Sequence, residues 1–193
     1  MTDCHYCGKK LPMFGGKDFP AHPKDVGFDD SAFSCEDCWR TRVAGIGLTV
    51  ATGNKKADVE TIKTYYKNAL NFKKSGNIPS ALDNYEKFVD LSLKCLGYKR
   101  NPMPGSGWVR GGDLDSMGDL YAASGNIAKA RESYQTALTL LKRAQSSGGI
   151  MGGLERAYIK QIENKLMKLP VEEAPGRAAS VQGRYCKYCG ASI

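Results

Sequence analysis

Residues 69–88, ALNFKKSGNIPSALDNYEKF, and residues 118–137, GDLYAASGNIAKARESYQTA, align without a gap at an offset of 49. Ala69 meets Gly118, Phe72 meets Tyr121, and Gly76-Asn77-Ile78 meets Gly125-Asn126-Ile127; Ala81 then meets Ala130, Tyr85 meets Tyr134 and Phe88 meets Ala137. Each position has a physical reason in a pair of helices. A small residue lets the first helix approach its partner, and the aromatic one turn later fills the crevice. Glycine then closes that helix in the left-handed conformation a side chain resists. Alanine and tyrosine repeat the small-then-large pattern on the second helix. The pattern predicts a mainly α fold of antiparallel helix pairs over residues 57–170.

The register of these positions resembles the tetratricopeptide repeat. That resemblance implies an array of helix hairpins whose first helices line a concave face that holds extended peptides or helices. Lys63, Tyr66, Leu70 and Lys73 of the first repeat would face that groove, with Asp115 and Asp119 from the second. In the family's best-known mode a lysine and asparagines clamp a terminal carboxylate, but the matching positions here are Tyr66, Leu70 and Asp119. The clamp is absent, so a mixed-charge or apolar ligand is expected.

The array is irregular. Repeats of this kind recur about every 34 residues, so the offset of 49 implies an insertion of roughly 15 residues, placed around 98–112. Prolines 102 and 104 and four glycines there preclude a continuous helix. Two repeats are also fewer than the three such arrays usually need to bury a core. A fifth helix over Gly153–Leu169, with Leu154, Ala157, Tyr158, Ile162 and Leu166 on one face, is expected to seal the open end before Pro170 stops it. On the helical stripe of Ala81, Tyr85 and Phe88, Cys95 reads as a packing thiol; Trp108 reads as packing onto the repeats or as an exposed anchor.

Six of the seven cysteines form C-x-x-C pairs: Cys4/Cys7, Cys35/Cys38 and Cys186/Cys189. Two thiolates at this spacing reach one tetrahedral zinc from a single tight turn. Cys4, Cys7, Cys35 and Cys38 are expected to share one structural zinc in a finger spanning 1–42, which resembles ribbon and treble-clef fingers. Cys35-Glu36-Asp37-Cys38-Trp39 lacks the glycine of the other two pairs and reads as the opening of a short helix. His22 stands as an alternative ligand and His5 as an outward-facing residue. The third pair, in a tail over 171–193, is half of a site. It could meet its copy in a second chain, join Cys4/Cys7, complete a partner's site, or act as a redox pair.

Charge and composition narrow the function. The formal net charge is +8, and the excess lies in the middle of the chain, where residues 43–170 carry 19 basic and 11 acidic side chains. The basic residues alternate with acids, so nucleic acid is a partner to test and not the favoured one. The longest apolar run, Val43–Ala51, is far below the ~20 residues that span a bilayer. It lies within a glycine-broken linker expected over 43–56. With no apolar signal core at the start, a cytoplasmic location without membrane contact is expected. No phosphate-binding Gly-Lys-Ser/Thr loop occurs, both histidines fall in the finger, and a four-thiolate zinc offers no open position. Asp113 and Asp115 read as helix-start charges. The sequence therefore predicts a non-catalytic zinc-binding adaptor that engages a protein or peptide partner, with the C-terminal pair available for homodimer formation.

Overall fold

The computed structural model describes residues 2–12, 19–45, 47–99, 102–103, 105–145 and 152–170. Among them every regular element is a helix. A short helix, α1 (Glu36–Cys38), widens into a π-helical turn over Trp39–Ala44. The longer helices follow: α2 (Lys55–Lys74), α3 (Ile78–Cys95), α4 (Gly111–Ala123), α5 (Ile127–Gln145) and α6 (Gly152–Lys168). Two isolated bridges, Asp3 to Lys10 and Pro20 to Phe33, are the β-type pairings of the described residues. No helix there is long and apolar enough to cross a membrane.

The two matching stretches fold into the same turn, bond for bond. At the end of α2, Asn77 N–H donates to the Phe72 carbonyl at 2.9 Å and Gly76 N–H to that of Lys73 at 3.2 Å. At the end of α4, Asn126 donates to Tyr121 at 2.9 Å and Gly125 to Ala122 at 3.1 Å. This double bond pattern requires a left-handed residue after the helix, and Gly76 and Gly125 supply it at φ 74° and 80°. Each asparagine side chain then caps the next helix, accepting from Ser80 N–H at 3.2 Å and from Lys129 N–H at 3.1 Å.

Close packing follows the small residues. Ala69, Ala81 and Ala130 are fully buried. A Cβ on Gly118 would lie 2.6 Å from the Tyr134 ring, and one on Gly111 would lie 2.6 Å from Leu141. Seven residues forward along α4 thus correspond to seven backward along α5, so these two helices run in opposite directions. In the first pair, Tyr66 of α2 packs at a tilt against Phe88 of α3 with ring centroids 4.9 Å apart.

The segment expected to link the finger to the helices is packed. Val43, Ala44 and Ala51 belong to the core, the Thr49 amide and hydroxyl both donate to Asp90, and those of Thr52 donate to Asp58. Trp39, 3% exposed, donates its indole N–H to the Lys94 carbonyl at 2.8 Å and stacks beside Phe19. Lys94 is itself wholly buried, its ammonium 2.9 Å from Asp90 and bonded to the Thr49 carbonyl. One apolar core therefore runs from the finger into α3.

The insertion is also tied down. Ser92 of α3 donates to the Gly107 carbonyl at 2.7 Å, Val109 is buried, and Trp108 packs half-buried against the core with Lys99 over its ring. Helix α4 begins at Gly111, so the last two glycines of the expected insertion belong to the helix, whose first turn is closed by the Asp113 carboxylate on the Arg110 amide. In α6, Ile162 is buried and Tyr158 and Leu166 pack against the core as expected, while Ala157 is exposed and Ile159 is buried instead. From this face Tyr158 and Lys165 reach Asp115 of α4. Cys95 is buried, as its stripe implied.

Candidate metal centre

The first thiol pair sits on a knuckle made by backbone bonds. Cys4 N–H donates to the Lys9 carbonyl at 2.8 Å and Gly8 N–H to that of Cys4 at 2.9 Å, with Gly8 at φ 71° closing the turn. The second pair opens α1, where Cys35 occupies the extended N-cap position and Cys38 lies one turn on. A bond from His5 N–H to the Phe33 carbonyl at 2.9 Å brings the two halves together across the long loop between them.

The four sulfurs of Cys4, Cys7, Cys35 and Cys38 all lie within 4.8 Å of one another. Cys7 Sγ and Cys35 Sγ are 3.8 Å apart. A tetrahedron with metal–sulfur bonds of about 2.3 Å has edges of about 3.8 Å, whereas a disulfide needs about 2.05 Å. All four are free thiols. Four sulfur donors gathered within 4.8 Å, one pair at the tetrahedral edge length, fit a thiophilic ion, and the residues present would hold it without an open coordination position.

Electrostatics at the cluster is divided. Burial raises the Cys4 thiol, but amide donors from Cys35, Cys7 and Tyr6 outweigh it and bring the group down to about 6. The Cys35 amide is the clearest of these, 3.2 Å from Cys4 Sγ. Cys38 is pushed up to about 12, by burial first and then by the three neighbouring thiols. Four thiols this close resist joint ionisation unless a cation compensates them, which is the role a bound metal would play.

Neither histidine joins the cluster. His5 is exposed beside Tyr6, and His22 Nδ1 accepts the Lys24 amide at 3.3 Å. The residue that sequence reading passed over is Tyr6, inside the knuckle. Its hydroxyl donates to Asp25 at 2.7 Å and accepts from His22 N–H at 2.9 Å, so the metal knuckle pins the 22–28 loop. An aromatic between two paired cysteines was the available signal. Cys186 and Cys189 lie outside the described residues.

The six residues expected along a peptide groove are dispersed. Lys63 is exposed and paired with Glu60, and Lys73 is exposed. Tyr66 and Leu70 line a cavity of about 460 Å³ with Tyr98 and Arg110, where the Tyr66 hydroxyl bonds Arg110 and Asp113. Asp115 and Asp119 are held by α6: Lys165 Nζ lies 2.8 Å from each carboxylate, and the Tyr158 hydroxyl donates to Asp115 at 2.9 Å. Asp115 is 6% exposed, so it is an interior acid and not the helix-start charge its position suggested.

Compared with known proteins, the chain matches no family model, no curated protein and no solved structure. The likeness to tetratricopeptide repeats therefore rests on the internal match of the chain with itself.

Proposed function

We propose that this protein is a non-catalytic zinc-binding adaptor, in which a four-cysteine finger is clamped to a short tetratricopeptide-like array that engages a protein or peptide partner. The carrying observation is the cluster of Cys4, Cys7, Cys35 and Cys38 with all sulfurs within 4.8 Å of one another. All-thiolate sites suit zinc, and closed ones serve structure. Two further features support the array's part in the reading. The repeated turn gives two hairpins of one design, and the Tyr66 cavity offers aromatic and cationic walls to a partner's side chains.

Cys95 is buried in the helices and four thiols are gathered in the finger, which favours donors from a second chain for Cys186 and Cys189. In the proposed reading they bind a metal jointly with a second copy. Elemental analysis with native mass tests both parts. One zinc in a monomer supports the finger alone, and three zincs in a dimer support the shared site as well. Protein that holds no zinc after purification without chelator would overturn the reading.

A further inference from the structure

A second cavity, which shares Val109 and Leu140 with the Tyr66 pocket, opens between the finger loop and helices α3 to α5. It measures about 680 Å³, inside the ~300–1,000 Å³ range of small-molecule sites. Its floor is apolar and comes from three helices and the insertion: Val89, Leu93, Val109, Leu114, Met117 and Leu140. Its outer wall is the finger, through the 22–28 loop that Tyr6 holds, and Leu48 stands 63% exposed at the mouth.

The charges around the mouth are unequal in availability. Four carboxylates line it, and each is engaged. Glu86 is bonded to the Tyr121 hydroxyl and paired with Lys129 at 2.7 Å. Asp90 is paired with the buried Lys94 and bonded by Thr49. Glu132 pairs with Lys24 at 3.1 Å, across from α5 to the finger loop, and Asp25 accepts from Tyr6. Those pairs also occupy Lys24 and Lys129. Arg42 differs. Its guanidinium lies 5.8 Å from the centroid of the Tyr6 ring and makes no ion pair with any described residue. Three of the four acids are ion-paired and Asp25 is hydrogen-bonded to a phenol. An apolar floor beside a guanidinium that no carboxylate of the described residues pairs with suits an apolar body carrying one negative head, and Asp25 makes an amine of the same length the counter-test. The chain's net charge of +8 favours the same sign at longer range.

We propose that this cavity binds a small amphiphile with an aliphatic body and a single carboxylate, the chain lying on the Leu114–Met117 floor and the head meeting Arg42. The proposal does not rest on the peptide-binding reading, since the cavity's floor and rim lie between the finger loop and helices α3 to α5. Recognition of this kind costs little reorganisation, because the floor is already packed and the head group's partner already stands at the rim. Guanidinium suits a carboxylate through two parallel N–H donors, so lysine would be a poorer substitute.

The experiment titrates decanoate into the zinc-loaded full-length protein, followed by two-dimensional amide NMR, with decylamine and decanol as controls. Decanoate is expected to shift the amides of the 22–28 loop, α3 and α5 and to bind about tenfold tighter than either control. Arg42→Gln should erase that preference for the anion while leaving residual binding of the chain. Val89→Trp, which fills the floor, should abolish binding. Unchanged zinc content and circular dichroism in both variants would show that they fold, and would keep this result separate from the fate of the zinc reading. Equal affinity for decylamine, shifts confined to another face, or no binding at millimolar decanoate would each overturn the proposal.

Discussion

The two hairpins share one turn yet are closed by different means. The open side of α3 is covered by the finger: Trp39 inserts beside Phe19 and donates to the Lys94 carbonyl. The second hairpin is covered by α6, which packs Ile159 and Ile162 and reaches α4 through Tyr158 and Lys165. A pair of hairpins buries too little apolar surface to stand alone, and this chain supplies an end cap to each. One cap depends on a metal-competent knuckle. The other depends on apolar burial and buried charge.

Breaking the first cap should have the larger effect. Trp39→Ala removes a side chain that is nearly wholly buried and a bond to a buried carbonyl, for an expected loss of about 3–5 kcal/mol in urea denaturation. Chelation of the metal should imitate part of this loss. In a Trp108→Phe background, whose single indole is Trp39, fluorescence should shift to the red when zinc is withdrawn. An unmoved spectrum would show that the cap holds without its metal.

Breaking the second cap should cost less. Lys165→Met leaves Asp115 buried with only the Tyr158 hydroxyl for company. Severing a fully buried pair costs about 3–5 kcal/mol, but Lys165 is 25% and Asp119 43% exposed at the side chain, so water screens part of the interaction. A loss of about 2 kcal/mol is expected. The Lys165 ammonium is partly disfavoured by burial, yet its bonds to Asp115 and Asp119 prevail and raise its pKa. Its contribution is therefore complete below the ordinary lysine range and fades above it. A variant no less stable than the parent at neutral pH would mean that α6 holds by apolar contact alone.

The turn itself offers a finer comparison. Gly76→Ala and Gly125→Ala each force a Cβ into a left-handed conformation but meet nothing within 4 Å. Each should cost about 1 kcal/mol, and the two losses should agree within about 0.5 kcal/mol. Gly118→Ala tests something else, since its Cβ would strike the Tyr134 ring. A cost well above that of Ala69→Gly would mark the second hairpin as the more closely packed of the two.

These contrasts also explain what could be read from sequence. The repeated Gly-Asn-Ile, the small residues and the paired cysteines were legible because each acts through its neighbours within one or two turns. Cys4, Cys7, Cys35 and Cys38 could be grouped because their spacing is itself the chemistry. The caps were not legible in the same way. Trp39 read only as part of the short helix opened by the second cysteine pair, and only the fold places it on Lys94, 55 positions away. Asp115 and Asp119 looked like groove residues because their position on α4 was right. What they face is decided by Lys165, 50 and 46 residues on, and no local pattern announces that pairing. On α6 the apolar face was legible through Tyr158, Ile162 and Leu166, but Lys165 beside it was not, because its partners lie on α4.

The smallest expected effect separates the two caps by pH. Cys95, on the α3 side near Asp58, is pushed up to about 12, by burial first and then by that carboxylate, against an ordinary value of 9.0. In the unfolded chain the thiol loses its proton near 9, whereas in the folded chain it keeps it. Its contribution is therefore complete below about 9 and declines as pH rises toward about 12. Cys95→Ala should accordingly be less stable than the parent at neutral pH, with the gap closing by at most about 1 kcal/mol between pH 9 and 10 in paired urea titrations. Taking the difference between two proteins removes the pH dependence that both share, that of the finger thiols included. The zinc-loaded protein should also leave Cys95 unalkylated by iodoacetamide at pH 8, since a thiol held neutral and buried is a poor nucleophile. Rapid alkylation there, or a gap that does not change with pH, would show that the α3 end opens to solvent and that the finger is the looser of the two caps.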